Sequence, residues 1–240
     1  MVGNVASSVA RYDQIADFYE QRSGKTVSDP ATAALLDLAG DVGGLRLLEV
    51  ACGPGRVARE LARRGACLTG LDISAALLAK ARAREAAEPL GISYLHADVT
   101  VSGVLGGQIF DGVACNYGLS DIDDLDGVLG NVAGALRPGG WFVFSLLHPC
   151  FPGWDSDAPS SWPPGQGYYR EGWWLASNTG YRGRVGASHR MISTYLNCLT
   201  GHGLVLDQAA EPPPGPDMER RRPPGAAPVP FYFAARCLKR

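Results

Sequence analysis

The 240-residue chain has no excess of charge of either sign, no long apolar run and no clustered cysteines. Lys and Arg number 22 against 24 Asp and Glu, a formal net charge of −2. A balance this near neutrality does not suit a general nucleic-acid binder, whose affinity comes from neutralising phosphates. No apolar stretch approaches the roughly 18 residues of a membrane helix; WFVFSLL, from Trp141 to Leu147, has the length of a strand. The opening MVGNVASSVARYD lacks the charged-then-apolar pattern of an export signal. These absences predict a soluble, cytoplasmic chain that engages neither membrane nor nucleic acid. Cysteines stand at 52, 67, 115, 150, 198 and 237 with no CxxC pair, and there are only four histidines. No zinc cluster or other metal is therefore expected, disulfides are disfavoured, and most thiols read as small buried apolar groups. What the chain does have is 46% apolar residues, enough for a core that hides about 70–75% of the unfolded surface.

Between residues 30 and 147, strand-like runs alternate with helical patterns. RLLEVA (Arg46 to Ala51) ends in a Gly-rich turn, after which Val57, Ala58 and Leu61 recur at helical spacing. ACLTGLD ends in Asp72, and Ser74 can N-cap a helix whose Leu77, Leu78 and Ala81 share a face. ISYLHAD, ending in Asp98, and FDGVACN, ending in Asn116, follow. Leu125, Leu129, Val132 and Leu136 mark a helix that stops at Arg137-Pro138-Gly139-Gly140 before WFVFSLL. Such alternation predicts an α/β fold with a mostly parallel sheet covered on both faces. Residues 149–187 differ, with four of the five tryptophans, five prolines and little periodicity. Ser188 is expected to open a further helix ending at Gly201, and LVLDQA and FYFAARCL to form the last two strands. Eight of the twenty residues from Glu211 to Pro230 are proline, which predicts an irregular connector. There is no internal repeat, so residues 1–240 read as one domain, with 1–40 as an N-terminal helical cap and 149–187 as a substrate-side insertion or lid.

The strongest local signal is Glu49-Val50-Ala51-Cys52-Gly53-Pro54-Gly55, between a strand and a helix. Glycines there let the backbone turn tightly beside a ligand, and the helix N-terminus favours an anionic group. Alone, the run from Gly53 to Ala58 also fits the dinucleotide pattern GxGxxA. Asp72 stands 19 residues after Gly53, at a strand end where a carboxylate can accept both hydroxyls of a ribose. Asp98 closes the next strand equivalently. Taken singly, each acid also fits a plain helix cap or turn.

LEVACGPGRVARELA, LDIS, HADV, FDGVACNYGLSDIDDL and LRPGGWFVFSLLHP together resemble the class I S-adenosylmethionine-dependent methyltransferases, in their small-molecule, type 11-like branch. The motifs cover roughly residues 10–147. The resemblance implies a Rossmann-like, doubly wound, seven-stranded sheet with its last strand antiparallel and an aromatic-rich insertion after strand 5. It implies S-adenosylmethionine as cofactor, leaving S-adenosylhomocysteine, with Glu49, Ala51, Gly53 and Gly55 under the methionine half. Asp72 would hold the ribose and Ile73 would pack on the adenine. Asp98 would accept from the adenine amino group, Val99 would donate to it, and Asn116 would sit beside the methyl. Tyr12, Tyr19 and Arg22, on a helix resembling one that closes over cofactor, complete the set; simple packing of that helix is the alternative.

For catalysis, His148 follows the fifth strand and His189 is expected to open a helix; both are candidates for a base or a substrate contact. Tyr117, Tyr168, Trp173, Trp174 and Arg190 are further candidates for the acceptor pocket, against the alternative that the aromatics anchor the lid and the arginines are solvated. The run Arg220-Arg221-Arg222 reads as solvated. The expected activity is methyl transfer to an O, N or C atom of a small organic acceptor in specialised metabolism, by a monomer or homodimer. An RNA- or protein-modifying methyltransferase, and a protein that binds the cofactor without transferring methyl, remain the alternatives.

Overall fold

Both neighbours in the run RLLEV are buried, Leu47 and Leu48 alike, as a strand covered on both faces requires. That strand lies inside a seven-stranded sheet in the computed structural model, which describes residues 10–23, 27–153, 161–162, 166–176 and 180–240. A 3-10 turn, Arg11–Ile15, runs into α1 (Ala16–Ser23), and α2 (Pro30–Ala39) follows. The alternating part comprises β1 (Arg46–Val50), α3 (Arg56–Arg63), β2 (Cys67–Asp72), α4 (Ala75–Ala87), β3 (Ser93–His96), β4 (Phe110–Asn116), α5 (Leu125–Ala135) and β5 (Leu136–Leu147). Next come β6 (Gly172–Trp174), α6 (Tyr181–Val185), β7 (Ala187–His189), α7 (Ile192–Gly201), β8 (Leu204–Ala210), α8 (Pro216–Arg220) and β9 (Tyr232–Lys239).

The sheet order is β3-β2-β1-β4-β5-β9-β8. The first five strands are parallel, and β9 runs antiparallel to both β5 and β8. The expected seven strands and antiparallel last strand are therefore present. One face is packed by Val128, Leu129 and Val132 of α5 with Tyr195 and Leu199 of α7. The other is packed by Leu35 and Leu36 of α2 with Val57 and Leu61 of α3. Side chains fix the helix starts: Ser74 Oγ accepts from Leu77 N at 3.2 Å, and Asp29 Oδ1 accepts from Thr32 N at 3.0 Å ahead of Pro30. Among the described residues no helix is long and apolar enough to cross a membrane.

Four expectations are corrected. Ser188 and His189 open no helix: they lie in β7, paired with β6 through Trp173↔Ser188 and Gly172↔His189, and the helix begins at Ile192. β3 ends at His96, so Asp98 sits in the loop beyond it. The Pro-rich connector contains α8, started by Pro216 at its first turn. Cys52, Cys115 and Cys237 are buried as expected, but Cys67 is exposed and Cys150 and Cys198 are half-buried.

Candidate functional site

Parallel strands leave their C-terminal ends open to one edge, and the order reverses between β1 and β4, where a crevice must form. A cavity of about 580 Å³ occupies that place. Its floor is the turn after β1. Ala51 takes a left-handed φ of 54°, Gly53 follows at 53°, and Gly55 caps α3 at 77°. Asp72, at the end of β2, ties this turn down: Oδ2 accepts from Gly53 N at 2.6 Å and Oδ1 from Ser74 N at 2.8 Å. Burial pushes the Asp72 carboxyl up, against the pull of those two N–H groups. Each carboxylate oxygen accepts one backbone bond and retains a further lone pair, on a side chain that lines the cavity.

The opposite wall begins where β4 ends. Tyr117 has a φ of 62°, and it and Ala51 are the only non-glycine residues with positive φ among those described; both line the cavity. Such backbone costs energy and persists where surrounding structure enforces it. Here the enforcement is close packing, since a Cβ on Gly118 would stand 2.6 Å from the Ala51 Cβ. A polar network holds the wall. Tyr117 Oη donates to Asp29 Oδ1 at 2.6 Å, and Thr32 Oγ1 donates to Asp29 Oδ2 at 2.6 Å. Asn116 Nδ2 donates to Thr32 Oγ1 at 3.1 Å, and Asn116 Oδ1 accepts from Ser145 Oγ at 2.7 Å. Burial, then the Asp29 carboxylate, pushes the Tyr117 hydroxyl well up, so it stays a neutral donor. Leu147, Met218, Phe231 and Tyr232 continue this wall as a largely apolar surface, with Arg221 at its margin.

The N-terminal segment covers the cavity. Asp13 anchors it by accepting from Ser74 Oγ at 2.6 Å and from Ala76 N at 3.0 Å, at the start of α4. Tyr12, Tyr19 and Arg22 line the cavity from this segment. Tyr181, at the start of α6, meets Tyr19 with ring centroids 5.4 Å apart and Phe18 at 5.6 Å. Tyr12 Oη donates to Asp121 Oδ2 at 2.9 Å, and Arg182 pairs with the same carboxylate. Two distant segments, 10–22 and 180–186, thus meet over one loop, 117–123.

A sequence profile described as a methyltransferase domain matches residues 48–144. The chain is 32% identical over 154 residues to an uncharacterized methyltransferase of Mycobacterium tuberculosis, covering 55% of this chain and 77% of that one. The chain belongs to the methyltransferase-domain family. The crystal structure of an S-adenosylmethionine-dependent methyltransferase from Mesorhizobium loti superposes with a TM-score of 0.68 at 29% identity, covering 88% of this chain and 99% of that one. The ubiquinone biosynthesis O-methyltransferase of Coxiella burnetii is 26% identical over 144 residues, covering 58% of this chain and 61% of its own length. This chain is an S-adenosylmethionine-dependent methyltransferase of class I.

In this methyltransferase, nine of the residues singled out in the sequence share the main cavity: Tyr12, Tyr19, Arg22, Ala51, Gly53, Asp72, Ile73, Asn116 and Tyr117. Asp98 and Val99 line an adjoining recess of about 60 Å³ with Ala51, Asp72 and Ile73. Asp98 Oδ1 also accepts from Thr100 N at 2.9 Å and Thr100 Oγ1 at 2.7 Å, so it closes its own turn as well. Glu49 does not reach the cavity. Its Oε2 accepts from Ala58 N at 2.7 Å, fastening β1 to the first turn of α3, and burial pushes its carboxyl up to about 8. Gly55 is likewise off the wall, and a Cβ there would strike the Tyr94 hydroxyl.

The catalytic candidates lie elsewhere. His148 is 6% exposed, with Nδ1 accepting from Cys150 N at 3.1 Å and Nε2 3.1 Å from Glu211; burial lowers its proton affinity against the opposing Glu211. His189 is buried against Trp162 and Tyr168, its Nε2 2.7 Å from the Tyr168 carbonyl. Tyr168 Oη in turn accepts from Ile192 N at 2.9 Å. Trp174 is buried, and Trp173 is half-exposed under the Arg11 guanidinium. Arg190 is 8% exposed and donates to the carbonyls of Leu119, Ile122 and Asp123 at 3.0, 2.8 and 2.6 Å, clamping the loop after β4. These residues hold the insertion onto the core. Trp154 lies outside the described residues.

The sequence reading missed Asp29, Asp121, Phe231 and Tyr232 on the cavity wall. Asp29-Pro30 is a legible helix-cap signal, which could have flagged the acid, though not its reach across 88 residues to Tyr117. The arginine run also divides: Arg220 pairs with Asp217 and Arg222 with Glu219, while Arg221 lines the cavity.

Proposed function

We propose that this methyltransferase transfers the methyl group of S-adenosylmethionine to an O, N or C atom of a small organic acceptor held in the same cleft, within specialised metabolism. The observation that carries the reading is the division of one partly open cleft. Asp72, Gly53 and Ile73 lie on one side, and an apolar wall of Leu147, Phe231 and Tyr232 with the Asp29–Tyr117 pair lies on the other. A volume of about 580 Å³ suits a cofactor and a small acceptor rather than a macromolecule. The named activity of the Coxiella relative, in ubiquinone biosynthesis, is of the same general kind.

The residues fit the cofactor. The free lone pairs of Asp72 match a pair of ribose hydroxyls, and the small residues Ala51 and Gly53 leave the floor open. Ile73 and Leu77 offer an apolar edge to a base, beside Asp98 and Val99 in the adjoining recess. A sulfonium brings its methyl already activated, so the chain's main task is alignment, worth up to about 7–11 kcal/mol of the barrier. Residues 1–40 act as a helical cap and 149–187 as a substrate-side lid on one domain, with Tyr19 and Tyr181 excluding water where the two meet. Where the acceptor must lose a proton, Asp29 takes it by way of the Tyr117 hydroxyl, in place of His148 and His189. The chain acts as a monomer or homodimer in the cytoplasm, without nucleic acid and with no metal in the reaction.

Calorimetric titration with S-adenosylmethionine, S-adenosylhomocysteine and NAD⁺, each alone, tests this reading. Micromolar binding of both adenosyl compounds and none of NAD⁺ is expected. Absence of binding by either adenosyl compound would overturn the assignment of the cleft.

A further inference from the structure

On one face of the sheet α5 and α7 pack together, and each turns a pair of residues one turn apart toward the other. From α5 come Asp126 and Gly130; from α7 come Cys198 and, at its C-terminal cap, His202. His202 Nε2 lies 2.8 Å from Asp126 Oδ1, and Cys198 Sγ lies 3.8 Å from the same oxygen. One ligand atom from each of the three falls within 4.8 Å of the other two. In a tetrahedral zinc site, with Zn–S near 2.3 Å and Zn–N and Zn–O near 2.0–2.2 Å, ligand atoms stand about 3.3–3.6 Å apart. An ion among these three atoms therefore asks for side-chain shifts of about 1 Å.

Gly130 is the second observation. A Cβ there would come 3.2 Å from His202 Cε1, so the imidazole lies directly over a bare stretch of α5. Glycine is unfavourable inside a helix, and the space it leaves here is filled by the ring, which holds Nε2 toward Asp126. None of the three side chains lines the cleft. The Asp126 side chain is 82% exposed and that of His202 26%, so a fourth ligand position opens to water. The cysteine spacing gives no hint of this grouping, because its members come from two helices rather than one CxxC loop.

We propose that Asp126, Cys198 and His202 form a surface site for Zn²⁺ or a similar borderline-soft divalent ion, which staples α7 to α5 and takes no part in methyl transfer. One thiol, one imidazole and one carboxylate suit such an ion, whereas Mg²⁺ and Ca²⁺ favour all-oxygen sets. On binding, Cys198 gives up its thiol proton to solvent and the sulfur forms the metal bond, with no change in oxidation state.

The test uses the full chain without an affinity tag, reduced and stripped of metal by chelator, then titrated with Co²⁺. A sulfur-to-cobalt charge-transfer band and the visible bands of four-coordinate cobalt are expected at one equivalent, displaced by Zn²⁺ and indifferent to Mg²⁺. Cys198→Ser should abolish the charge-transfer band, and Asp126→Asn and His202→Gln should each weaken Zn²⁺ binding at least tenfold. All three variants should bind S-adenosylmethionine as the parent does. Because Asp126 is largely exposed, Asp126→Asn keeps the fold whatever becomes of Cys198. As a separate readout, Zn²⁺ should raise the melting temperature of the parent and not of Cys198→Ser. Absence of cobalt bands in the parent overturns the site, as does a band that survives Cys198→Ser, which would place the ion on another thiol.

Discussion

Replacing Asp72 with alanine separates what this carboxylate does for the fold from what it does for the ligand. In the folded chain it accepts buried bonds from Gly53 N at 2.6 Å and Ser74 N at 2.8 Å. Losing an acceptor to which a buried N–H points costs about 1–3 kcal/mol, and two are lost. Part of that cost is offset, because burial already disfavours the ionised Asp72 and alanine removes the desolvated charge. Net destabilisation should be about 2–4 kcal/mol, enough to see in urea unfolding but not to unfold a typical domain. For the ligand, two ribose hydroxyls lose a charged acceptor, at about 1.5–3 kcal/mol each, or 0.5–1.5 if the bonds behave as neutral ones. Since about 1.4 kcal/mol is tenfold in affinity, S-adenosylmethionine should bind at least about fivefold more weakly, with about a hundredfold as the central expectation. Calorimetry on protein whose circular dichroism matches the parent is the assay. A folded Asp72→Ala chain whose affinity stays within threefold of the parent would refute the ribose role.

Glu49→Gln should change how stability depends on pH. The carboxyl, pushed up to about 8 by burial, contributes stability that is complete below the ordinary carboxylate range and is lost as pH rises through 8. Stability of parent and variant should therefore agree near pH 4, diverge progressively between the ordinary carboxylate range and pH 8 in favour of glutamine, by about 1.4 kcal/mol for each tenfold change in proton affinity, and keep a constant difference above pH 8; a difference that does not change with pH would refute the buried ionisation. Arg190→Ala leaves three carbonyls of the loop after β4 without their donor and should cost about 3 kcal/mol or more in denaturant unfolding, with Arg190→Lys in between. Gly118→Ala drives a Cβ to 2.6 Å from that of Ala51 and should cost about 1–3 kcal/mol. Adding Ala51→Gly should restore part of that loss, the 2.9 Å approach of the new Cβ to Cys115 Sγ remaining, and a double variant less stable than Gly118→Ala would show that the two loops do not press on each other.

The sheet was readable because its signals are local. Leu47, Leu48 and Val50, interrupted only by Glu49, make a short apolar strand buried on both faces, and Ser74 caps its helix through a neighbour three residues on. Asp72 was readable for the same reason, since Gly53, Ser74 and a strand end define it. Tyr12, Asn116 and Tyr117 were readable too, but their acidic partners were not, because the pairs lie far apart in the chain: Asp29 with Tyr117, and Asp121 with Tyr12 and Arg182. Burial of each is set by the meeting of segments that neither sequence stretch announces. His189 misled because Ser188 resembles a helix cap, while a three-residue pairing with β6 has too few positions to show a period of two. Glu49 sits inside the most recognisable motif, yet its side chain turns under α3 and joins the scaffold instead of the cavity.

The placement of β9 carries a consequence for how the molecule assembles. β8 has no hydrogen-bonded neighbour in the seven-stranded sheet except β9, which in turn leans on β5 through pairs such as Trp141↔Leu238. The first five strands can zip in chain order, each finding a partner already made. β8 cannot: its native partner has not yet been made, and it must wait until the strand that follows the Pro-rich connector has threaded between it and β5. Closure of that gap spans nearly a hundred residues and completes the cleft wall as well, since Phe231 and Tyr232 enter the cleft with the start of β9. Such non-local pairing is slow relative to local contacts. Until it happens, β5 and β8 each show the bare edge of a strand, the surface through which unfinished sheets find one another.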